Sequence, residues 1–213
     1  MPFRRALLCL AAAALLAPAV PAGAADPLST ALSAEDKALV QSGTDYIQNL
    51  KGVQGRFTQT DPRGKVSTGL FYMLRPGRAR FQYDPPAALL VVADGMNVSI
   101  YDRKLKTFDQ YPLGQTPLVL LLAKTVRLDH GVVIAAVQKG KDNFSIDARD
   151  ARKEAQGRII IQFSQQPMAL KGWTVVDAQG QKTEVKLGPL TEKSTLDANL
   201  FVLRDPRARS ERP

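Results

Sequence analysis

The chain has 213 residues, with 29 Lys and Arg against 20 Asp and Glu, and it contains one cysteine and one histidine. A lone histidine leaves no multi-histidine metal site and is more often structural than catalytic, and a lone cysteine cannot form an intramolecular disulfide. The net charge of +9 points to nucleic acid, anionic lipid headgroups or acidic proteins as partners.

The first residues bear on that choice. "MPFRR" is a short basic start, "ALLCLAAAALLA" an apolar run too short to span a bilayer, and "PAGAAD" offers small residues for cleavage. This is the layout of a secretory signal peptide over residues 1–24, cut after Ala24 with Ala22 at the minus-three position. Cys9 leaves with it, and large Leu8 before it argues against lipid modification there. Loss of Arg4 and Arg5 leaves 27 basic and 20 acidic side chains, a net charge near +7. An exported chain is a poor match for nucleic acid. The expectation is a single domain over residues 26–206 and a polar tail over 207–213, acting as a monomer.

Residues 33–51, "SAEDKALVQSGTDYIQNLK", read as an amphipathic helix: Ser33 caps it, Glu35 and Asp36 fill the first turn, and Leu39, Val40, Gly43, Tyr46, Ile47 and Leu50 recur at three-and-four spacing. From residue 53 the period changes to that of strands. "GRFTQT", "TGLFYMLR", "RARFQY", "ALLVVA", "MNVSIYD" and "KTFDQY" come before the middle of the chain. "VVIAAVQ", "NFSIDA", "RIIIQFS", "LKGWTVVD", "QKTEVKLG" and a last strand near "LFVLR" come after it. Asp94-Gly95 and Gln179-Gly180 mark tight hairpins. About a dozen short strands predict an antiparallel sheet curling into a barrel or sandwich. Between the two groups, "QTPLVLLLAK" breaks the pattern: Thr116 reads as N-cap, Pro117 as first helical residue and Leu118 to Leu122 as a short, very apolar helix.

Alternation is clear in "KTEVKLG" and "NFSIDA", and it blurs in "GLFYMLR" and "ALLVVA". A sheet with a broad dry face needs a cover. Two helices are thin cover for a dozen strands, so the sheet either fills itself with side chains or stays hollow beneath the helices. The residues alone leave both open.

Catalytic signatures are missing: there is no G-x-S-x-G, S-x-x-K, P-loop or G-x-G-x-x-G. Asp94, Asp102, Asp109 and Asp177 lie near predicted turns and read as turn formers, although paired carboxylates that meet only in space stay open. The expectation is a binding protein rather than an enzyme, with no cofactor and no metal.

The ordered set "GRFTQT", "TGLFYMLRPGRARFQYDPP", "LLVVADGMNVSIYD", "TPLVLLLA", "IQFS", "VVDAQGQKTEVKL" and "FVLRDP" resembles the periplasmic outer-membrane lipoprotein carrier family, LolA, over roughly residues 35–206. The resemblance implies a mainly β fold with helices. This is an open, incomplete antiparallel barrel of about eleven strands whose apolar concave face lies under a helical lid. It decides for the hollow, a vacant chamber for the acyl chains of lipoproteins carried from the inner to the outer membrane. The implied partners are a lipoprotein-releasing ABC transporter of the inner membrane and an outer-membrane acceptor lipoprotein, the second dispensable in some relatives.

The family's motif arginine stands before a proline, here Arg75-Pro76, and is implied to latch the lid through backbone carbonyls. Gly69, Phe71, Met73 and Arg75 share strand parity, as do Ala79, Phe81 and Tyr83. Arg78 and Arg80 then point outward as solvated surface. On this reading the cavity is lined by Phe57, Phe71, Met73, Phe81, Tyr83, Val98, Ile100, Phe144, Ile146, Ile159, Ile161, Phe163 and Val185, with Leu118 and Leu121 from the short helix. Leu39, Tyr46, Ile47 and Leu50 form the face of the lid helix. Ala79 and Ser99 replace aromatics common in the family, which would widen or weaken the pocket. An alternative reading is a periplasmic sensor or scaffold that binds a protein or polymer through the barrel's basic outer face.

Overall fold

The computed structural model describes residues 32–128, 131–151 and 157–206. The expected leader with Cys9, the single histidine His130 and the expected tail 207–213 lie outside the described residues.

Helix α1 spans Ala34–Asn49, and Ser33 caps it by accepting a hydrogen bond from the Asp36 amide. Six strands come next: β1 Gly52–Thr60, β2 Val66–Leu74, β3 Arg78–Tyr83, β4 Leu89–Asp94, β5 Asn97–Asp102 and β6 Thr107–Pro112. A 3₁₀ turn at Leu113–Gln115 leads to α2, Val119–Leu122. The second half supplies β7 Val132–Lys139, β8 Asn143–Asp150, β9 Arg158–Gln165, β10 Met168–Val176, β11 Lys182–Leu187 and the two-residue β12 Thr191–Glu192. A 3₁₀ turn at Ala198–Phe201 ends the described core.

All pairings are antiparallel, in the order β6-β5-β4-β3-β2-β1-β11-β10-β9-β8-β7, with β12 beside the start of β1. The two edge strands, β6 and β7, do not pair with each other, so the barrel is incomplete. They are also consecutive in the chain. The connection between them must therefore cross the mouth, and it is this connection that carries α2.

Asp94 accepts from the amides of Met96 and Asn97, Asp102 from those of Lys104 and Leu105, and Asp177 from those of Gln179 and Gln181. These three are turn formers, as read from the sequence. Asp109 is not: it sits mid-strand in β6, opposite Ile100.

Three further expectations change. The helix expected from Thr116 is a single turn, and Thr116 donates its hydroxyl to the Leu113 carbonyl instead of capping α2. "LFVLR" does not extend into a strand, because Asp197 accepts from the Asn199 amide and tightens the chain, turning Phe201 onto the outside of the sheet. Arg78 and Arg80 do point outward, but they are not solvated. The Arg78 guanidinium lies 5.8 Å from the Phe201 ring centre, and Arg80 donates to the Leu200 carbonyl at 3.0 Å.

That outer contact explains the blurred alternation. Leu90, Val92 and Phe201 form a second apolar cluster on the convex face, with Tyr72, Leu74, Leu196, Leu200 and Leu203 packed around it. Strands β2 to β4 are apolar on both faces because both faces are covered.

Candidate functional site

The concave wall is built by strand parity. On β1 to β3, register places Phe57 opposite Gly69, Phe71 opposite Phe81 and Met73 opposite Ala79, so one face carries Phe57, Phe71, Met73, Ala79, Phe81 and Tyr83. The rings interlock: Phe57 meets Phe81 and Tyr83 edge-on, with centroids 5.3 and 5.0 Å apart, and Phe71 and Phe81 are tilted at 5.0 Å. On the far side, Phe144, Ile146, Ile159, Ile161, Phe163 and Val185 are all buried, with Phe144 stacked on Phe163 at 5.0 Å.

Trp173 joins the two halves, close to both Phe71 and Phe81. Sequence reasoning missed it, along with Leu170, because a bulge between Leu170 and Gly172 shifts the parity of β10. Val98 is buried in the same core. Ile100 shares its parity but is half-buried on β5, opposite Asp109 of the edge strand β6 and apart from the core that holds Val98. Ser99 does not touch the cavity: it faces outward opposite Val92 and accepts from the Gln110 amide group, so its small size cannot widen the pocket. Ala79 does line the wall.

Two covers lie over this wall. Helix α1 lies over the β7–β10 side. Ile47 and Leu50 are buried, Leu39 packs against the core, and Tyr46 meets Phe163 edge-on at 6.3 Å. Gly43 permits the close approach, since a Cβ there would stand 3.1 Å from both Ile146 and Phe163. Helix α2 covers the β2–β3 side, where Leu118, Leu121 and Leu122 press against Phe71, Met73, Ala79 and Phe81. The space left between them is about 10 Å³, roughly room for one water. Among the described residues the expected vacant chamber is therefore absent between wall and α2, because the cover's own leucines fill it.

The α2 cover is held by polar contacts to backbone. Arg75, directly after β2, donates to the Leu121 carbonyl through one guanidinium nitrogen and to the Ala123 carbonyl through the other, the latter at 2.7 Å. Between them, the Gly77 amide donates to the Leu122 carbonyl at 2.7 Å. Gly77 has φ +82, and a Cβ there would fall 2.7 Å from Gly95 Cα, so the tight turn that aims this amide has no room for a side chain. Burial lowers the Arg75 pKa from its ordinary value, yet an arginine stays charged, and carbonyls at a helix end lack internal partners.

Comparison with known families agrees with the family that the sequence resembles. The family model for the outer membrane lipoprotein carrier protein LolA matches residues 48–204. The chain belongs to the LolA family. Its relatives include an outer-membrane lipoprotein carrier protein of Legionella pneumophila (strain Corby), 34% identical over 175 residues, covering 79% of this chain and 85% of that one. Another, from Leptothrix cholodnii, is 30% identical over 168 residues, covering 74% and 77%. Among solved structures, a LolA superfamily protein from Nitrosomonas europaea superposes with a TM-score of 0.40 at 10% identity, over 76% of this chain and 97% of that one. Among the described residues, no cluster of three or more His, Cys, Asp or Glu could hold a metal ion, and no helix is long and apolar enough to cross a membrane.

Proposed function

We propose that this protein is a periplasmic carrier that takes up the acyl chains of lipoproteins beneath the α2 cover and moves them from the inner to the outer membrane. It would receive cargo from a lipoprotein-releasing ABC transporter and deliver it to the outer membrane, with or without an acceptor lipoprotein. The observation that carries this reading is a continuous apolar wall whose cover on one side is a single helical turn, fastened through Arg75.

Acyl chains gain about 0.8 kcal/mol per buried CH₂. They can reach the wall only if Leu118, Leu121 and Leu122 leave it. Opening costs the exposure of those leucines and the Arg75 bonds, each about 1.5–3 kcal/mol to a charged donor. That cost is small beside the gain from several chains, and it returns as a driving force when the cargo departs. Closure of the empty protein thus favours release. Aliphatic walls impose little direction, which suits cargoes alike in lipid and different in protein.

The sensor or scaffold alternative loses ground on the convex face, where Arg78 and Arg80 are engaged under the C-terminal turn. Two further basic groups there are paired, Arg56 with Asp84 and Arg158 with Asp147.

The test is release. Arg75→Leu is expected to keep cargo bound while transfer of a loaded lipoprotein to acceptor membranes slows by roughly tenfold or more, the factor for losing about one charged hydrogen bond. Transfer at the unchanged rate would remove the latch role.

A further inference from the structure

Helix α2 has four residues, too few to hold a helix by its own hydrogen bonds, so its place depends on how its ends are anchored. At its C-terminal side the chain runs extended through Ala123. The Ala123 carbonyl goes to Arg75, and the next one, that of Lys124, goes to the other cover: Gln48 of α1 donates to it at 3.3 Å. The same side-chain amide accepts from the Val126 amide at 2.8 Å. Gln48 is otherwise an exposed residue in the last turn of α1, on neither the apolar face nor the wall.

Consecutive carbonyls are thus gripped from opposite sides, one by the barrel rim and one by α1. A two-point contact with Lys124 and Val126 fixes both the position and the rotation of this short bent stretch. Val126 and Leu128 are themselves buried, which keeps the chain beyond the grip in the core. Rotation matters, because Arg75 can bond the carbonyls of residues 121 and 123 only if the stretch presents them toward β2.

We propose that Gln48 is a positioning residue of the cover: it holds residues 124 and 126 against α1 so that the preceding carbonyls face Arg75, and it marks the point about which α2 swings. This rests on the carrier reading for its purpose, though not for its geometry.

The test is a double-mutant cycle on the full chain with Gln48→Ala, Arg75→Leu and both together, read by hydrogen exchange at the Gly77 amide, whose acceptor neither substitution removes. Gln48→Ala alone is expected to speed that exchange by about tenfold. In the Arg75→Leu background it should add less than about twofold, because a residue that acts through Arg75 has nothing left to position. A contact that merely stabilises the fold would act equally in both backgrounds, so additive effects overturn the proposal, as does unchanged exchange in Gln48→Ala. Binding of a triacylated lipopeptide by the four proteins separates the two readings. Coupled exchange with no lipopeptide bound by any of them would sink the carrier reading and leave Gln48 in place. Lipopeptide binding with additive exchange would do the reverse.

Discussion

The two covers fasten to the same wall by different physics. Helix α1 spreads 16 residues over the β7–β10 side and buries Val40, Gly43 and Ile47 against rings and isoleucines. Its hold is area, which is non-directional and lost only if the whole face peels away. Helix α2 is four residues long, and what fastens it is directional: two bonds from Arg75, one from the Gly77 amide and the grip of Gln48 on the stretch behind it. A hold made of a few oriented bonds can be undone and remade without disturbing the packing of the rest. On the proposed carrier reading, α2 is therefore the part that moves and α1 the part that stays.

The largest effect should come from the fixed side. Phe163 is fully buried, stacks on Phe144 and meets both Tyr46 and the space beside Gly43. Phe163→Ala is expected to destabilise the protein by about 3–5 kcal/mol, the usual cost of a cavity that rigid neighbours cannot fill. Chemical denaturation would measure it, and a loss under about 1 kcal/mol would mean that α1 also lifts easily.

The matching truncation on the movable side should cost less. Leu121 is as buried as many core residues, yet a chain lacking its side chain can leave the cover open, so the penalty cannot exceed the free energy of closing. Leu121→Ala is therefore expected to lower stability by about 1–2 kcal/mol, short of the ~2–5 typical of a core leucine. A full core-sized loss would show that α2 belongs to the cooperative fold and does not open separately.

Much of this was legible in the sequence, and the failures have physical causes. The α1 cap and face and eleven of the strands come from periodicity, because each of those signals is local. Parity predicted the inward set of β2 and β3 and the outward direction of Arg78 and Arg80. It could not reveal that the C-terminal turn, whose Leu200 stands 120 residues beyond Arg80, returns to cover them with Phe201. Trp173 was hidden by the bulge at Gly172, which shifts the very alternation used to assign faces. Ile100 has the inward parity but pairs with the edge strand β6, and which strand ends the sheet is a property of sheet order that no single strand contains. Gln48 carries no signal at all in sequence: a polar residue on the exposed side of an amphipathic helix is what solvent alone would select. The vacant chamber was implied by the family resemblance alone, since the residues leave a filled and a hollow barrel equally open; the leucines of α2 occupy the room that the strands leave.

The smallest effect tests a last contrast between the two sides. The wall beneath α1 is hydrocarbon, whereas the β1–β3 side ends in a part-buried polar pair, with the Tyr83 hydroxyl donating to Gln59 Oε1 at 2.7 Å. Burial pushes the Tyr83 pKa up to about 12. A tyrosine whose folded pKa is raised favours the folded state fully below its unfolded value, near 10, and loses that advantage as pH climbs toward the folded value. Tyr83→Phe removes the hydrogen bond and leaves the Gln59 oxygen without its donor, so at neutral pH it should cost about 1 kcal/mol. Between pH 10 and 12 the wild type should lose about 1.4 kcal/mol per pH unit relative to the variant, because only the unfolded wild-type chain can release this proton freely. The two stability curves should therefore cross near pH 11, a crossing that the other tyrosines, common to both proteins, cannot produce. Parallel curves from pH 7 to 12 would place the Tyr83 hydroxyl in water and make the β1–β3 side of the wall leakier than the side under α1.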